Sequence, residues 1–283
     1  MDDGLPRLYR LFDLHTMDLR KNHQQVLETP SSFWQTQWDT VWEWSGSNEF
    51  NLVRWGTFIY TTAIFWIAAL GFLMIDLTGK PKVLQKYRIQ KTSKYQVKFM
   101  DVLKAAKQIL FNQLLCGIPS GILYYHVLIW RGYDSSRNLP TFSRITLEIA
   151  FSILLQEIVY YYIHRFLHTP FLFKYVHYLH HKWNSPIAII AELCHPLENF
   201  FANLFPIVLG PILLGSHLAT SWIWYAIAII STMISHSGFH IPQIPNPEIH
   251  DIHHSKHNRN YGVLGIMDRI HGTFEVPRVG KIQ

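Results

Sequence analysis

Gln156-Glu157-Ile158-Val159-Tyr160-Tyr161-Tyr162-Ile163-His164-Arg165-Phe166-Leu167-His168 runs out of an apolar segment into an H-x3-H pair. After eight intervening residues the chain reads His177-Tyr178-Leu179-His180-His181, an H-x2-H-H triplet. The pattern then repeats further on. His236-Ser237-Gly238-Phe239-His240 is a second H-x3-H, and His250-Asp251-Ile252-His253-His254 a second H-x2-H-H. Ten of the 17 histidines therefore stand in four tight groups at helical spacing. In a helix, positions i, i+3 and i+4 share a face, so each group is expected to aim two or three imidazoles at one spot.

Around these groups the chain is apolar. Of its 283 residues 49% are hydrophobic and 16% charged, yet the mean hydropathy is only +0.06. That average implies very apolar and very polar segments side by side. A bilayer crossing takes about 20 apolar residues in a helix. Trp55–Ile75 meets this cleanly. Gln108–Trp130 is long enough but carries Asn112, Gln113, Gly117, Pro119 and Gly121, which fits a kinked span or two half-spans. Ile145–Ile163 is interrupted by Glu148, Gln156 and Glu157. Asn199–Leu214 and Leu218–Ser235 are joined by Gly215-Ser216-His217 alone, which implies a helical hairpin. The expected fold is all-α, an integral membrane protein of about four to five transmembrane helices with a cytosolic, histidine-rich di-metal cap. The organisation expected is an N-terminal segment (1–53), a membrane region with a basic loop (54–144) and a catalytic domain (145–283).

Sidedness follows from charge. Lys80, Lys82, Lys86, Arg88, Lys91, Lys94, Lys98, Lys104 and Lys107 lie between the first two spans, and Asp101 is the only acid from Lys80 to Lys107. Positive loops stay cytoplasmic. Hairpin parity puts all four histidine groups together on one side, and if Gln108–Trp130 and Ile145–Ile163 both cross, that side is the cytoplasmic one. Lys256, Arg259, Arg269, Arg278 and Lys281 in the C-terminal segment agree. The +6 excess is thus local to membrane-proximal segments, and no nucleic-acid partner is expected. No cleavable signal peptide is evident, because the N-terminus has early charges and no continuous apolar core. Trp34, Trp38 and Trp42 recur every four residues in Phe33–Trp44. This reads as an interfacial helix, or as one packed on the rest of the protein.

Neutral imidazole suits iron, zinc, copper or nickel. Cys116 and Cys194 form no C-x2-C, which argues against a disulfide scaffold and a thiolate zinc site. His164, His168, His177, His180, His181, His236, His240, His250, His253 and His254 exceed what one ion needs, so two ions with about five histidines each are expected. His126, His15, His23, His217 and His271 read as structural or exposed. His195 and His257 stand near the boxes as possible site-lining residues. Metal-bound histidines usually hand their other N–H to an oxygen acceptor; Glu157, Glu198 and Asp251 are candidates, with Asn258 and Asn260 beside them. Transport is disfavoured, since the boxes sit at span ends rather than inside them. A zinc hydrolase needs far fewer histidines.

With His195-Pro196-Leu197-Glu198, Asn260-Tyr261-Gly262 and Asp268…Gly272-Thr273, these boxes resemble the fatty acid hydroxylase / sterol desaturase superfamily of membrane non-haem di-iron oxygenases. The resemblance covers about residues 145–275. Thr169 departs from it, since another histidine often follows the first box in relatives. The resemblance implies the ten box histidines as ligands of two iron ions, with zinc able to replace them on isolation. It implies an endoplasmic reticulum enzyme that hydroxylates a lipid C–H bond with O2. Electrons would come from NAD(P)H through a redox partner such as cytochrome b5 and its reductase. C4-methylsterol oxidation in sterol metabolism is the leading expectation. The alternatives are fatty acyl or sphingoid hydroxylation, a cholesterol 25-hydroxylase-like activity, or a metal-binding membrane scaffold. The basic 80–107 loop suits an acidic electron carrier, anionic lipid or topology alone.

Overall fold

The computed structural model describes residues 32–89, 98–183, 187–240 and 247–276. Among the described residues the chain is helical, with no strand beyond an isolated bridge between Arg88 and Phe239. Lys91, Lys94, Arg278, Lys281, His15 and His23 lie outside the described residues.

Helix α1 is Ser32–Trp44. Its tryptophans do not form one lipid-facing row. Trp34 is exposed, whereas Trp38 is buried and packs edge-on against Trp222. Trp42 packs against the same core. The helix is also tied to the loop after the third helix: Arg137 pairs with Asp39 and Glu43, and Gln35 bonds the Arg137 carbonyl and the Leu139 N–H. Packing on the protein therefore describes α1 better than a free interfacial helix.

Four helices are long and apolar enough to cross a bilayer: α2 (Glu49–Thr78), α3 (Phe99–Arg131), α6 (Pro196–Leu214) and α7 (Leu218–Ser235). Gly79, in the left-handed region at φ 63°, ends α2. Helix α3 settles the choice between a kinked span and two half-spans: it is one continuous element that widens into a π turn at Gln113–Gly117. Similar π turns occur at Leu52–Gly56 in α2 and Asn199–Leu204 in α6.

The remaining candidate span forms α4 (Phe142–Leu167), a 26-residue helix capped by the Thr141 hydroxyl. It is not among the four apolar crossings. The reason is its polar seam, since Glu148, Ser152, Gln156, Glu157 and His164 are all buried along it. That seam faces protein. Helix α4 packs along α6, and the two come close at Gly210, where a Cβ would lie 2.4 Å from Ser152 Oγ.

The α6–α7 hairpin turns at Gly215, with φ 62°. Its turn meets the loop after α3: the Asp134 N–H donates to the Gly215 carbonyl, and His217 Nε2 bonds the Ser136 carbonyl. His217 also caps α7 through Nδ1, so it is structural as expected. At the opposite end the segment after α2 meets the chain after α7, where the Ile89 N–H donates to the Gly238 carbonyl and the His240 N–H to the Tyr87 carbonyl. This end holds all four histidine groups. Among the remaining described helices are α5 (residues 170–181), α8 (Pro247–Lys256) and α9 (Ile266–Ile270).

The apolar core beneath the histidines joins Phe65 and Ala69 of α2, Val102 and Ile109 of α3, Met233 of α7 and the buried turn Ile187–Ala191. Burial of this kind stabilises by roughly 25 cal/mol per Å² and fixes the helix ends that carry the site.

Candidate metal centre

Nine of the ten box histidines collect into two groups. His164, His168, His177, His181 and His253 form one; His180, His236, His250 and His254 form the other. Within each group the ligand atoms all lie within 4.8 Å of one another. The triplets do not act as units. His177 and His181, at i and i+4, serve the first group while His180 serves the second. The second triplet does the reverse: His250 and His254 join the second group and His253 the first. On α5 and α8 the i+3 imidazole is displaced from the i, i+4 pair by the 3.6-residue helical period. Each helix therefore spans both centres.

His240 does not join them, which corrects the expectation of ten ligands. Its backbone is bound to the segment after α2, and its Nδ1 lies 2.9 Å from Glu248 Oε1 with the ring 41% exposed. His236 is the last turn of α7 with its ring turned inward; Ser237 and Gly238, the latter at φ 69°, bend the chain away before His240.

The chemistry of the nitrogens calls for a cation in each group. His236 Nδ1 lies 2.8 Å from the Thr232 carbonyl oxygen and His180 Nδ1 3.3 Å from that of Leu193. A carbonyl only accepts, so each proton sits on Nδ1 and each Nε2 carries a lone pair. Those two Nε2 atoms are 3.3 Å apart. Two lone pairs cannot bond each other; a cation between them satisfies both. The first group repeats the arrangement. His164 Nδ1 donates to the Tyr261 carbonyl at 2.7 Å, His253 Nδ1 to that of Arg259 at 2.7 Å, and His177 Nδ1 to Glu198 Oε1 at 2.7 Å. The facing Nε2 separations are 3.2 Å for His164–His177, 3.2 Å for His168–His253 and 2.9 Å for His181–His177. Ligands at right angles around a metal with nitrogen bonds of 2.0–2.1 Å stand about 3 Å apart. The donor set therefore fits a bound transition metal, with no thiolate in either group.

Burial keeps these rings neutral, the form that binds metal. It lowers His180 to about 4, and it holds His253 and His254, with neighbouring imidazoles adding to the effect, well below the ordinary histidine range.

The oxygen acceptors only partly match expectation. Glu198 does hold a ligand, His177. Glu157 touches no histidine: Oε2 accepts from the Val263 and Leu264 N–H groups and Oε1 from that of Met267. With Asp268, which accepts from the Tyr261 and Gly262 N–H groups, it holds the loop whose Tyr261 carbonyl orients His164. Gly262 is required there, because a Cβ would lie 2.7 Å from Glu157 Oε1 and 2.9 Å from Asp268 Oδ2. His195 caps the start of α6, accepting from the Leu197 N–H, and joins neither group. His257 does flank the first group: its ring centroid is 4.8 Å from that of His181, and its buried Nε2 has no partner. Asn260, at φ 54°, clamps the backbone before and after the last box by bonding the Ile249 and Glu275 carbonyls. The carbonyls that orient His164, His180, His236 and His253 carry no signal in residue type and were not foreseen.

A cavity of about 370 Å³ opens on the second group. His180, His236 and His250 line it, and its other walls are largely apolar, including Phe65 of α2, Ile153 of α4, Ile207 of α6 and Trp224 of α7. Glu192 and Glu198 also line it. Glu192 was not foreseen; a lone acid in the buried turn Ala188–Glu192 has no motif around it.

The fatty acid hydroxylase family model matches residues 149–273. Human fatty acid hydroxylase domain-containing protein 2 is 39% identical over 241 residues, covering 85% of this chain and 72% of that protein. The very-long-chain aldehyde decarbonylase GL1-8 of Oryza sativa subsp. indica is 31% identical, covering 83% of this chain and 90% of its own. Methylsterol monooxygenase 2-1 of Arabidopsis thaliana is also 31% identical, covering 70% and 71% respectively. No solved structure matches. The paired histidine groups thus sit in the matched segment, and the chain belongs to the fatty acid hydroxylase family.

Proposed function

We propose that this chain is a non-haem di-iron monooxygenase that hydroxylates a C–H bond of a membrane lipid, with a C4-methylsterol as substrate. The observation that carries the reading is the junction of two all-histidine groups with an apolar cavity between membrane helices. The balanced reaction takes one C–H bond, O2, two electrons and two protons to one C–OH and water. Iron bound by the two groups would supply dioxygen activation, which side chains alone do not provide.

The chain's own part is placement. His180, His236 and His250 present the second group to the cavity, leaving that four-histidine group with fewer protein ligands than the first. The walls from α2, α4, α6 and α7 exclude water and align a flat or extended apolar body against it. Electrons would come from NAD(P)H through a carrier such as cytochrome b5, at an endoplasmic reticulum membrane with the histidine end in the cytosol. Residues 145–283 would form the catalytic unit.

Fatty acyl hydroxylation is the second reading. It is favoured by a relative named fatty acid hydroxylase ahd1 from Mycosarcoma maydis, 32% identical over 71% of this chain and 52% of that protein. Mass spectrometry of products decides between them, using iron-loaded protein with a reductase, a 4-methylsterol and a long-chain fatty acyl substrate. An oxidised 4-methyl group supports the sterol reading. Acyl products alone overturn it, and no product from either leaves a metal-binding scaffold.

A further inference from the structure

Glu192 is a carboxyl group of the cavity lining that bonds none of the metal-group histidines described above. Its Oε2 accepts from Gln113 Nε2 at 3.0 Å, and the residue lines the cavity. Gln113 is itself fixed: Trp66 Nε1 donates to its Oε1 at 2.9 Å. An indole N–H only donates, so the amide oxygen must face Trp66 and the amide N–H groups must face Glu192. Gln113 sits at the π turn of α3, a distortion that proteins favour at functional positions. Three segments (α2, α3 and the turn before α6) thus converge to hold one carboxyl group at the cavity wall.

The charge of the cavity selects its occupant. Two acidic side chains line it, Glu192 and Glu198, and among the described residues no lysine or arginine does. Glu198 spends Oε1 on His177, and its Oε2 is buried without a partner. An anionic head group placed against Glu192 meets like charge there, with no lysine or arginine side chain of the lining to pair with it. A hydroxyl both donates and accepts, so it can bond a carboxyl group in either protonation state. Burial pushes Glu192 up to about 7, so both states are populated near neutrality.

The location limits where oxidation can occur. Leu193, the next residue, supplies the carbonyl that orients His180, and His180 lines the same cavity. A hydroxyl held at Glu192 therefore shares the cavity with the second histidine group, on the chain segment whose carbonyl orients His180.

We propose that Glu192, held by Gln113 and Trp66, recognises the hydroxyl of an uncharged lipid alcohol. The carbon presented to the second histidine group lies within a few bonds of that hydroxyl. The recognition role stands on the cavity alone; oxidation at that carbon rests on the monooxygenase reading above.

The test is equilibrium binding to the full-length protein in nanodiscs, with metal content measured on every sample. The probes are a 4-methylsterol and hexadecanol, each beside its O-methyl ether, together with palmitate. Wild type is expected to bind at least one alcohol tenfold or more tighter than its ether, and palmitate more weakly than hexadecanol. Glu192→Leu should abolish the alcohol-over-ether preference, and Gln113→Leu should reduce it, with metal content unchanged in both. Glu192→Gln, which keeps size and hydrogen bonding, should retain part of the preference and guards against misfolding of the leucine variant. Alcohols no better than ethers in wild type, or a preference that survives Glu192→Leu in metal-loaded protein, overturns the proposal. A preference for hexadecanol without sterol binding keeps it and removes the sterol reading. Absence of hydroxylated product, with the preference intact, removes the monooxygenase reading alone.

Discussion

Glu198 Oε1 lies 2.7 Å from His177 Nδ1, and the two side chains are 4% and 1% exposed. The carboxylate fixes the tautomer of His177, so that its Nε2 lone pair faces the other four imidazoles of the first group. Removing such a partner typically costs 10–100-fold in metal affinity. Glu198→Ala is therefore expected to lose metal to a chelator at concentrations about 10–100 times lower than wild type. Glu198→Gln, still able to accept from Nδ1, should fall between the two. Metal analysis after graded chelator exposure reads this directly.

His240 matches the H-x3-H pattern but stands outside both groups. His240→Ala should keep wild-type metal content, while His250→Ala should lower it. Equal losses in the two variants would contradict the geometry described here.

The division of each triplet makes a stoichiometric prediction. His236 serves only the second group and His164 only the first. Each single alanine variant should lose close to one equivalent of metal and keep the other. A double variant should lose both. Loss of both from either single change would mean that the two groups assemble as one unit.

Glu157→Ala leaves the N–H groups of Val263, Leu264 and Met267 without their acceptor. Of the three, the Met267 contact is fully buried; an unmade bond to a buried group costs about 1–3 kcal/mol, so a loss of at least about 1 kcal/mol is expected. Thermal unfolding of the detergent-solubilised protein should show a lowered Tm, with Glu157→Gln recovering part of it.

The buried imidazoles set the direction of the acid response. The folded state holds His180 near 4, below the free value near 6.5. Between these values the unfolded chain binds a proton that the folded chain refuses, so stability rises with pH across that window. For His180 alone the shift corresponds to about 3 kcal/mol. Metal-free protein should hold full stability above about pH 6.5 and lose it progressively toward pH 4. Metal retention should fall in the same direction, since protons compete for the same lone pairs. Unfolding midpoints and metal content measured across this range check both.

Much of the protein was legible in residue order. Helical spacing of His164 with His168, and within His177/His180/His181 and His250/His253/His254, announced metal-facing helix ends, because i, i+3 and i+4 share a face whatever else the chain does. The short Gly215-Ser216-His217 joint announced the α6–α7 hairpin and placed the boxes at one end. These are local properties, set by helical periodicity and segment length. Tertiary structure alone decided what crosses between segments. It divided the triplets between two centres and excluded His240, since a ring's destination depends on which neighbouring helix end it meets. It turned Glu157 from a presumed histidine partner into the anchor of the 261–267 loop, and it packed Trp38 inward. It used backbone carbonyls of Leu193, Thr232, Arg259 and Tyr261 to orient ligands, and every residue type has such a carbonyl. It also brought Trp66, Gln113 and Glu192 together from three distant segments, because their hydrogen bonds exist only once α2, α3 and the turn before α6 have packed.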